Sequence, residues 1–476
     1  MSESVLWTID AMASAMGAQR QGALPAGVTG ISIDSRSIGG SEAFFAIKGD
    51  NRDGHEFVDT ALKNGAALCV VATDKRDQFP ADAPLLIVAD VLEGLRALAR
   101  AARARLKAQV IGVTGSVGKT GTKEALRLAL SRDGETHASV ASYNNHWGVP
   151  LSLARCPEHV AFAIFEMGMN HAGEIEPLTK LVRPHVAIIT TIEPVHLEFF
   201  PAGIEGIADA KAEIFAGIEK GGAAVINRDN SQYARLRKQA EQAGVSRIVS
   251  FGEAADADVR VTKFVLHAEC SVVQASVLGT DVTYKVGTPG QHLIWNSLAV
   301  LTAVKLVGAD LAMAALALAE LKPVSGRGVR ITLGLTGGGS AQLIDESYNA
   351  NPASMRAALS ILGGATVGTR GRRIAILGDM LELGAEGKKL HRDLADAVLA
   401  NDVDLVFCSG PLMRELFDAL PSGRQGVYAE ASADLESPVL SAVQPGDVLM
   451  VKGSLGSRMG PLVKALEREF PARPTG

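Results

Sequence analysis

The chain has 476 residues, is 47% hydrophobic and 21% charged, and so has the apolar content for about two to four packed domains. Its formal net charge of −5 and the lack of a long basic tract argue weakly against a dedicated nucleic-acid binder, while leaving room for a local site that takes small anions. The four cysteines are far apart and form no C-x-x-C pair, which argues against a disulfide framework or a zinc site and fits a reducing compartment.

The N-terminal stretch "MSESVLWTIDAMASAMG" has no basic n-region and is interrupted by Glu3 and Asp10, so it does not read as a signal peptide. Short β-like runs follow: "GVTGISIDS", "EAFFAIKG", "GAALCVVA" and "APLLIVAD". The alanine and leucine spacing of "VLEGLRALARAARARLKA" predicts an amphipathic helix that closes a first domain, residues 1–107.

A second domain, 108–328, opens with "QVIGVTGSVGKT", a β run that passes through glycines into the helix-like "GTKEALRLALS". The further runs "VAFAIFEMG", "HVAIITTI" and "GGAAVINRD" alternate with helical stretches, the pattern of a parallel sheet covered on both faces. "AECSVVQASVLGTDVTYKVG" alternates instead and predicts a small antiparallel side sheet, after which "HLIWNSLAVLTAVKLVG" returns to helix. The stretch "LAMAALALA" from Leu311, the longest apolar run found, is far too short to span a membrane.

A third domain, 329–476, reads as βαβ of Rossmann type through "AQLIDESY", "RRIAILGDM", "VDLVFCSG" and "DVLMVKGS". The fold class expected is therefore α/β in three domains. The glycines of "SGRGVR" and "TGGGS" suit either an interdomain hinge or an ordinary hairpin loop.

The segment "VIGVTGSVGKTGTKEAL" resembles a phosphate loop with its glycines out of register. In G-x-x-x-x-G-K-[ST] the first glycine would stand where Val113 is. The physical needs are still met. Gly115 and Gly118 free the backbone around Ser116 and Val117 to approach phosphate oxygens. Lys119 can reach the β- and γ-phosphates, the Thr120 hydroxyl can ligate Mg²⁺, and the helix from Gly121 points its positive end at the phosphates. Glu166 ends the apolar run "VAFAIFE", where a parallel strand presents a carboxylate at the sheet's carboxyl end, a sensible Mg²⁺ ligand. His196 by itself reads as a packed or surface histidine, and Lys211 as a solvated helix charge. His292 and Asn296 are four apart and share one helix face, where Asn suits either an adenine edge or a cap.

T-G-x-x-G-K-T over Thr114–Thr120 resembles the loop of the Mur ligase family. "SYNNHWGVPLSLAR", "FEMGMNHAGEI", "DAKAEIF" and "GQHLIWNSLAV" are similar to further motifs of that family, in the same order. "DESYNANPASMRAAL" with "ILGDMLELG" looks most like its dipeptide-adding branch, and "IDSR" with "AFFAIKGDNRDGHEFV" is similar to that branch's front domain. The resemblance implies a UDP-substrate domain, a central P-loop ATPase domain and a C-terminal ligase domain. It implies an ATP-dependent, ADP-forming amide ligase joining D-alanyl-D-alanine to UDP-N-acetylmuramoyl-tripeptide in cytoplasmic peptidoglycan precursor synthesis.

What it implies about residues is specific. ATP and two Mg²⁺ ions would be held, with Lys119, Lys211, His196 and Arg327 catalytic, and Thr120, Glu166, His196 and a carbamylated Lys211 at the metals. Gly115 to Gly121, His292, Asn296, Arg327 and Asp345 would face the nucleotide, Asp345 at the ribose. Ser35 and Arg36 would meet the uridine diphosphate, with Asn51, Asp53, Gly54 and His55 in second place. Asn144, Asn145, Tyr348, Asn349, Asn351 and Arg356 would face the other substrates. "EPVHLEFF" departs from the family's Gly-x-Ala-His while keeping the histidine. No nucleic acid, membrane span or obligatory protein partner is expected. Another amino-acid-adding member, a folylpolyglutamate synthase-like enzyme, a non-catalytic nucleotide-binding regulator and a P-loop kinase are the alternatives weighed. The front domain and "DESYNANP" argue against the first two. Glu166, His196 and Lys211 together argue against the regulator, and the front domain again against the kinase.

Overall fold

The computed structural model describes residues 5–49, 52–335 and 338–472. Among the described residues three large sheets follow one another along the chain, with a two-stranded pairing of Trp7–Thr8 and Gly27–Val28 beside the first. The first has the strand order Gln19–Gln21, Leu85–Val88, Leu68–Ala72, Glu42–Phe45, Gly30–Ser32, parallel except for the antiparallel edge Gln19–Gln21. Its strands Leu68–Ala72 and Leu85–Val88 are apolar on both faces because helices cover both. The predicted closing helix runs Val91–Arg105 and is capped by Asp90, whose carboxylate accepts from Glu93 N at 2.7 Å. Its Leu95, Leu98 and Ala102 bury against this sheet together with Leu151 and Ala154 from the second unit.

That shared core is reinforced by polar contacts across the junction. Trp7 Nε1 donates to Ala154 O at 2.8 Å, the Arg105 guanidinium stacks 3.6 Å over the Trp7 ring, and Arg155 Nε donates to Ile31 O at 2.6 Å.

The second sheet has nine strands. Thr136–Ala138, Phe162–Glu166, Gln109–Thr114, Val186–Ile189, Ala223–Asn227, Arg247–Gly252 and Val259–Leu266 pair in parallel, in that spatial order. The antiparallel strands Val259–Leu266, Ser271–Val277 and Thr280–Val286 are the expected side sheet. It joins the parallel part through only two paired positions, Phe251 with Val259 and Gly252 with Arg260, so it is continuous with the main sheet rather than separate.

The third sheet orders Val329–Gly334, Ser340–Glu346, Val448–Lys452, Arg373–Gly378, Leu405–Ser409 and Gln425–Ala429, parallel except at the first edge. The glycine-rich stretch after Gly334 therefore connects a hairpin. The glycines of "SGRG" do sit between the second and third sheets: Gly326 (φ +71°) and Gly328 (φ +95°) flank Arg327 in a tight turn that pairs Val324 with Arg327.

Trp7→Phe would leave the buried Ala154 carbonyl without its donor. We expect a loss of about 1–3 kcal/mol, read as a lower urea midpoint. An unchanged midpoint would show that the apolar contacts alone dock the first unit on the second.

Candidate functional site

Parallel strands place their carboxyl ends along one edge of the sheet, and the second sheet brings Thr114, Glu166 and Ile189 to that edge side by side. The loop after Thr114 turns sharply because Gly115 adopts φ +149° and Gly118 φ +88°. A Cβ on Gly115 would lie 1.9 Å from Thr190 Oγ1, so the neighbouring strand's exit leaves no room for a side chain. Ser116 locks the loop to that exit: its Oγ donates to Glu193 O at 3.0 Å and accepts from Glu193 N at 2.9 Å. The helix Lys119–Leu130 then starts with its amino end facing the loop, as expected. Lys119 folds back, and its Nζ donates to Gly115 O at 2.6 Å.

Glu166 is almost fully buried, and both its oxygens are in use. Oε2 accepts from Thr120 Oγ1 at 2.9 Å and Oε1 from Asn144 Nδ2 at 2.8 Å. The loop that carries Asn144 is held from below by Lys123, which sequence reasoning passed over. Its fully buried ammonium donates to Ser139 O at 2.6 Å and Ala141 O at 2.7 Å, and pairs with Glu124 at 2.9 Å. Ala141 sits at φ +48°, a strained conformation for a residue with a Cβ, and the Lys123 bond pins it there. Nothing in "GKTGTKE" distinguishes this lysine from a solvated helix charge.

Lys211 is buried at the end of the helix Ile204–Ala212 and finds no hydrogen-bond acceptor among the described residues. Desolvation holds its pKa well below the ordinary lysine value, Lys119 lowers it further, and Glu213 opposes both weakly. Glu213 is itself occupied. Its carboxylate accepts from Gly173 N, Ile175 N and Glu176 N, capping the helix Ile175–Val182. Lys119 is likewise lowered by desolvation, with Glu166 opposing and Arg327 adding to it. His196 takes a left-handed backbone (φ +56°) and pairs through Nδ1 with Glu382 of the third unit. Desolvation lowers the His196 pKa, and Glu382 partly restores it.

Lys119, Thr120, Asn144, Glu166 and His196 line a cleft of about 910 Å³ between the second and third units, whereas Lys211 and Glu382 lie behind its wall. His292 and Asn296 do share one face of the helix Gln291–Leu306 and both line the cleft. The Asn296 amide lies 3.0 Å from where a Gly118 Cβ would be, directly over the loop. Arg327 enters from the junction, 4.5 Å over the Tyr348 ring, with one guanidinium nitrogen 3.4 Å from Ser142 Oγ. Tyr348, Asn349 and Arg356 line the opposite wall. Lys452, also missed, ends "DVLMVK" as Glu166 ends its run. Though buried, it reaches Asn349 O at 2.9 Å and Glu346 at 3.2 Å.

Other expected residues are used differently. Asp345 does not line the cleft, because its carboxylate turns inward to Ser347 N and Oγ at 3.0 and 2.7 Å; the next residue, Glu346, lines it instead. Asn351 is at the cleft wall, but its side chain caps the helix Pro352–Gly363 through Ser354 N at 2.9 Å. Asn145 caps the helix Gly148–Ala154 through Gly148 N at 2.9 Å, while its neighbour Asn144 faces the cleft.

Ser35 and Arg36 lie on the first unit, away from this cleft. Arg36 is exposed and paired with Asp34 at 2.7 Å, and that hydrogen-bonded partner lowers the Asp34 carboxyl to about 2. Asp53, Gly54 and His55 form a local brace. Asp53 accepts from His55 N and Nδ1, His55 Nε2 accepts from Ala72 N, and a Cβ on Gly54 would strike Ala46 and Ile47 backbone at 2.6 Å. Asn51 lies outside the described residues.

Two measurements follow from the buried lysines. With its folded-state pKa depressed, Lys211 binds fewer protons folded than unfolded. In carbonate-free buffer, stability should therefore rise with pH from the depressed value up to the ordinary lysine value, by up to about 1.4 kcal/mol per pH unit. Lys211→Met should lose that slope and exceed the parent in stability near neutral pH, as read from urea midpoints across the range. An identical slope in the variant would assign the effect to another group. Lys123→Met leaves two loop carbonyls unpaired and should cost about 1–3 kcal/mol, while releasing Asn144 from Glu166.

Three family models match the chain in order: the Mur ligase family catalytic domain over 27–105, the Mur ligase middle domain over 113–304, and the Mur ligase glutamate ligase domain over 333–455. The UDP-N-acetylmuramoyl-tripeptide–D-alanyl-D-alanine ligase of Escherichia coli (strain K12) is 33% identical over 440 residues, covering 92% of this chain and 93% of that protein. A crystal structure of MurF from Acinetobacter baumannii superposes with a TM-score of 0.82 at 29% identity, covering 97% of this chain and 99% of that one. MurF ligase from Thermotoga maritima in complex with ADP superposes with a TM-score of 0.75 at 25% identity, covering 92% and 97%. Three matched domains in one order, on a sheet edge that carries the shifted phosphate loop, show that this chain belongs to the Mur ligase family.

Proposed function

We propose that this chain is an ATP-dependent, ADP-forming ligase that joins D-alanyl-D-alanine to UDP-N-acetylmuramoyl-tripeptide in peptidoglycan precursor synthesis. The observation that carries the reading is the cleft itself. It sets the phosphate loop and Glu166 of the second unit opposite Tyr348, Asn349 and Arg356 of the third, in a chain similar from end to end to ligases of that name. A cytoplasmic location fits the unpaired cysteines, three of them buried. Domain junctions at 107/108 and 328/329 belong to the same proposal.

The reaction has two transfers. A carboxylate oxygen of the tripeptide attacks the γ-phosphorus of ATP, the bond to the β-bridging oxygen breaks, and ADP leaves. The dipeptide's amine nitrogen then attacks the acyl carbon, a proton leaves the nitrogen, and phosphate departs. The loop amides of residues 115–120 and Lys119 bind the β- and γ-phosphates, and Arg327 offsets charge on the transferring group. Asn296, over the loop, takes the adenine side with His292. Ser35 and Arg36 take the uridine diphosphate, and Arg356 the dipeptide carboxylate. Closure of the cleft over the reactants would exclude water from the reactive acyl phosphate.

The donor set fits Mg²⁺, a cation that prefers oxygen. The Thr120 hydroxyl and Glu166 carboxylate are adjacent at 2.9 Å beside the loop. Mg²⁺ bound there would neutralise phosphate charge. The depressed pKa of buried Lys211 favours the neutral amine that CO₂ requires, and carbamylation would turn it into a further oxygen ligand beside His196.

The test is phosphate release with ATP, Mg²⁺, UDP-linked tripeptide and D-alanyl-D-alanine, each omitted in turn. Turnover should need all four. Turnover with a single amino acid in place of the dipeptide would reassign the substrate, and ATP binding without turnover would reject the ligase reading. Native mass spectrometry in bicarbonate should show one added CO₂ that Lys211→Met lacks.

A further inference from the structure

Two carboxylates of the third unit stand at this seam: Glu346 lines the cleft and is paired with Lys452, while Glu382 does not line it but reaches His196, which does. Glu382 stands at the tip of "LGDMLELG", and its Oε2 pairs with His196 Nδ1. Both residues adopt left-handed backbone, at φ +62° and φ +56°, although neither is glycine. Such strain persists only where the surroundings impose it.

Here the surroundings are built for it. Asp379 accepts from Met413 N at 2.7 Å and Leu412 N at 3.3 Å. Met380 N donates to Nε2 of the fully buried His391 at 2.9 Å, and that ring's Nδ1 is satisfied by Gly387 O. Leu381 N donates to Ser454 Oγ at 3.0 Å. Three successive residues are thus fastened, and the fourth is presented. The pair it makes is itself part-exposed, with side chains 28% and 41% accessible, so it adds little stability.

The charges of the reactants say what a carboxylate does there. ATP, the tripeptide carboxylate and the acyl phosphate are all anionic, and an acid facing them is repulsive unless it meets a cation. Among the reactants the incoming amine, an ammonium before reaction, is the cation that must come up to the reacting carboxylate. A metal ion is the other cation in play. The donor pair fitted to Mg²⁺ above, Thr120 and Glu166, does not include Glu382.

Resting on the ligase reading above, we propose that Glu382 binds the amino group of the incoming dipeptide. Its carboxylate exchanges His196 for the ammonium and holds the nitrogen on the His196 side of the cleft. Glu382 makes and breaks no covalent bond.

The test uses the full chain, with ATP and UDP-linked tripeptide saturating and D-alanyl-D-alanine varied. Glu382→Gln keeps the shape and removes the charge. It should raise KM for the dipeptide about 10-fold, with a smaller rise for Glu382→Asp, and leave the half-saturating Mg²⁺ concentration unchanged. A second readout reports the first transfer alone: tripeptide-dependent scrambling of ¹⁸O in ATP without dipeptide should persist in both variants. A shifted Mg²⁺ requirement with unchanged dipeptide KM would overturn the proposal in favour of a metal-facing acid. Parallel loss of scrambling and dipeptide turnover would overturn it in favour of a structural latch. A parent enzyme that scrambles ¹⁸O but ignores the dipeptide would reject the substrate reading first, and this inference with it.

Discussion

The hydrogen bonds from Thr120 and Asn144 to the two oxygens of Glu166 are the contact through which the rest of the site is organised. Glu166 is buried, and a buried carboxylate needs donors or a cation on each oxygen. The donors come from two segments that the sheet alone brings to it. The strand Gln109–Thr114 lies beside Phe162–Glu166 in parallel register, so the loop that follows it must pass Glu166. The strand Thr136–Ala138 flanks the other side, so its exit loop must pass Glu166 too. Lys123 closes the arrangement. It springs from the phosphate-loop helix and grips the carbonyls of the Asn144 loop, so that the nucleotide loop and the acid's support move as one body.

Much of this was legible in the sequence because it is local. An apolar run followed by an acid marks a strand end, and G-K-T between strand and helix marks a phosphate loop, whatever the register of its glycines. The antiparallel excursion after residue 258 was legible from its alternation. What was not legible depends on which way a side chain turns. Asp345 and Glu346 are neighbours at the end of a strand, where side chains alternate between faces. The residue expected at the ribose turns inward to Ser347, and the one after it faces the cleft. Asn144 and Asn145 divide in the same way, one to Glu166 and one to a helix cap. Lys123 and Lys211 look like solvated helix charges in one dimension. Burial is a property of what packs over them, and that comes from far along the chain.

The seam between the second and third units follows a different rule from the cores on either side. Its polar contacts include His196 with Glu382, Arg327 over the Tyr348 ring at 4.5 Å, and Arg330 Nη2 to Ala268 O at 2.8 Å. The first and second units, by contrast, share an apolar core around Leu151 and Ala154. A seam held by a few part-exposed polar pairs stores little free energy, so its geometry is set by what lies in the cleft. Anionic reactants between Lys119 of the second unit and Arg330 and Arg356 of the third tie the two sides together, because these cations line the cleft from different units. The Gly326–Gly328 turn beside Arg327 lets the third unit's wall move without disturbing either sheet. Weak polar contacts at the seam and rigid loops on both banks thus suit the same end: the loops keep the reacting groups aligned, while the ligands themselves supply the energy that brings the banks together.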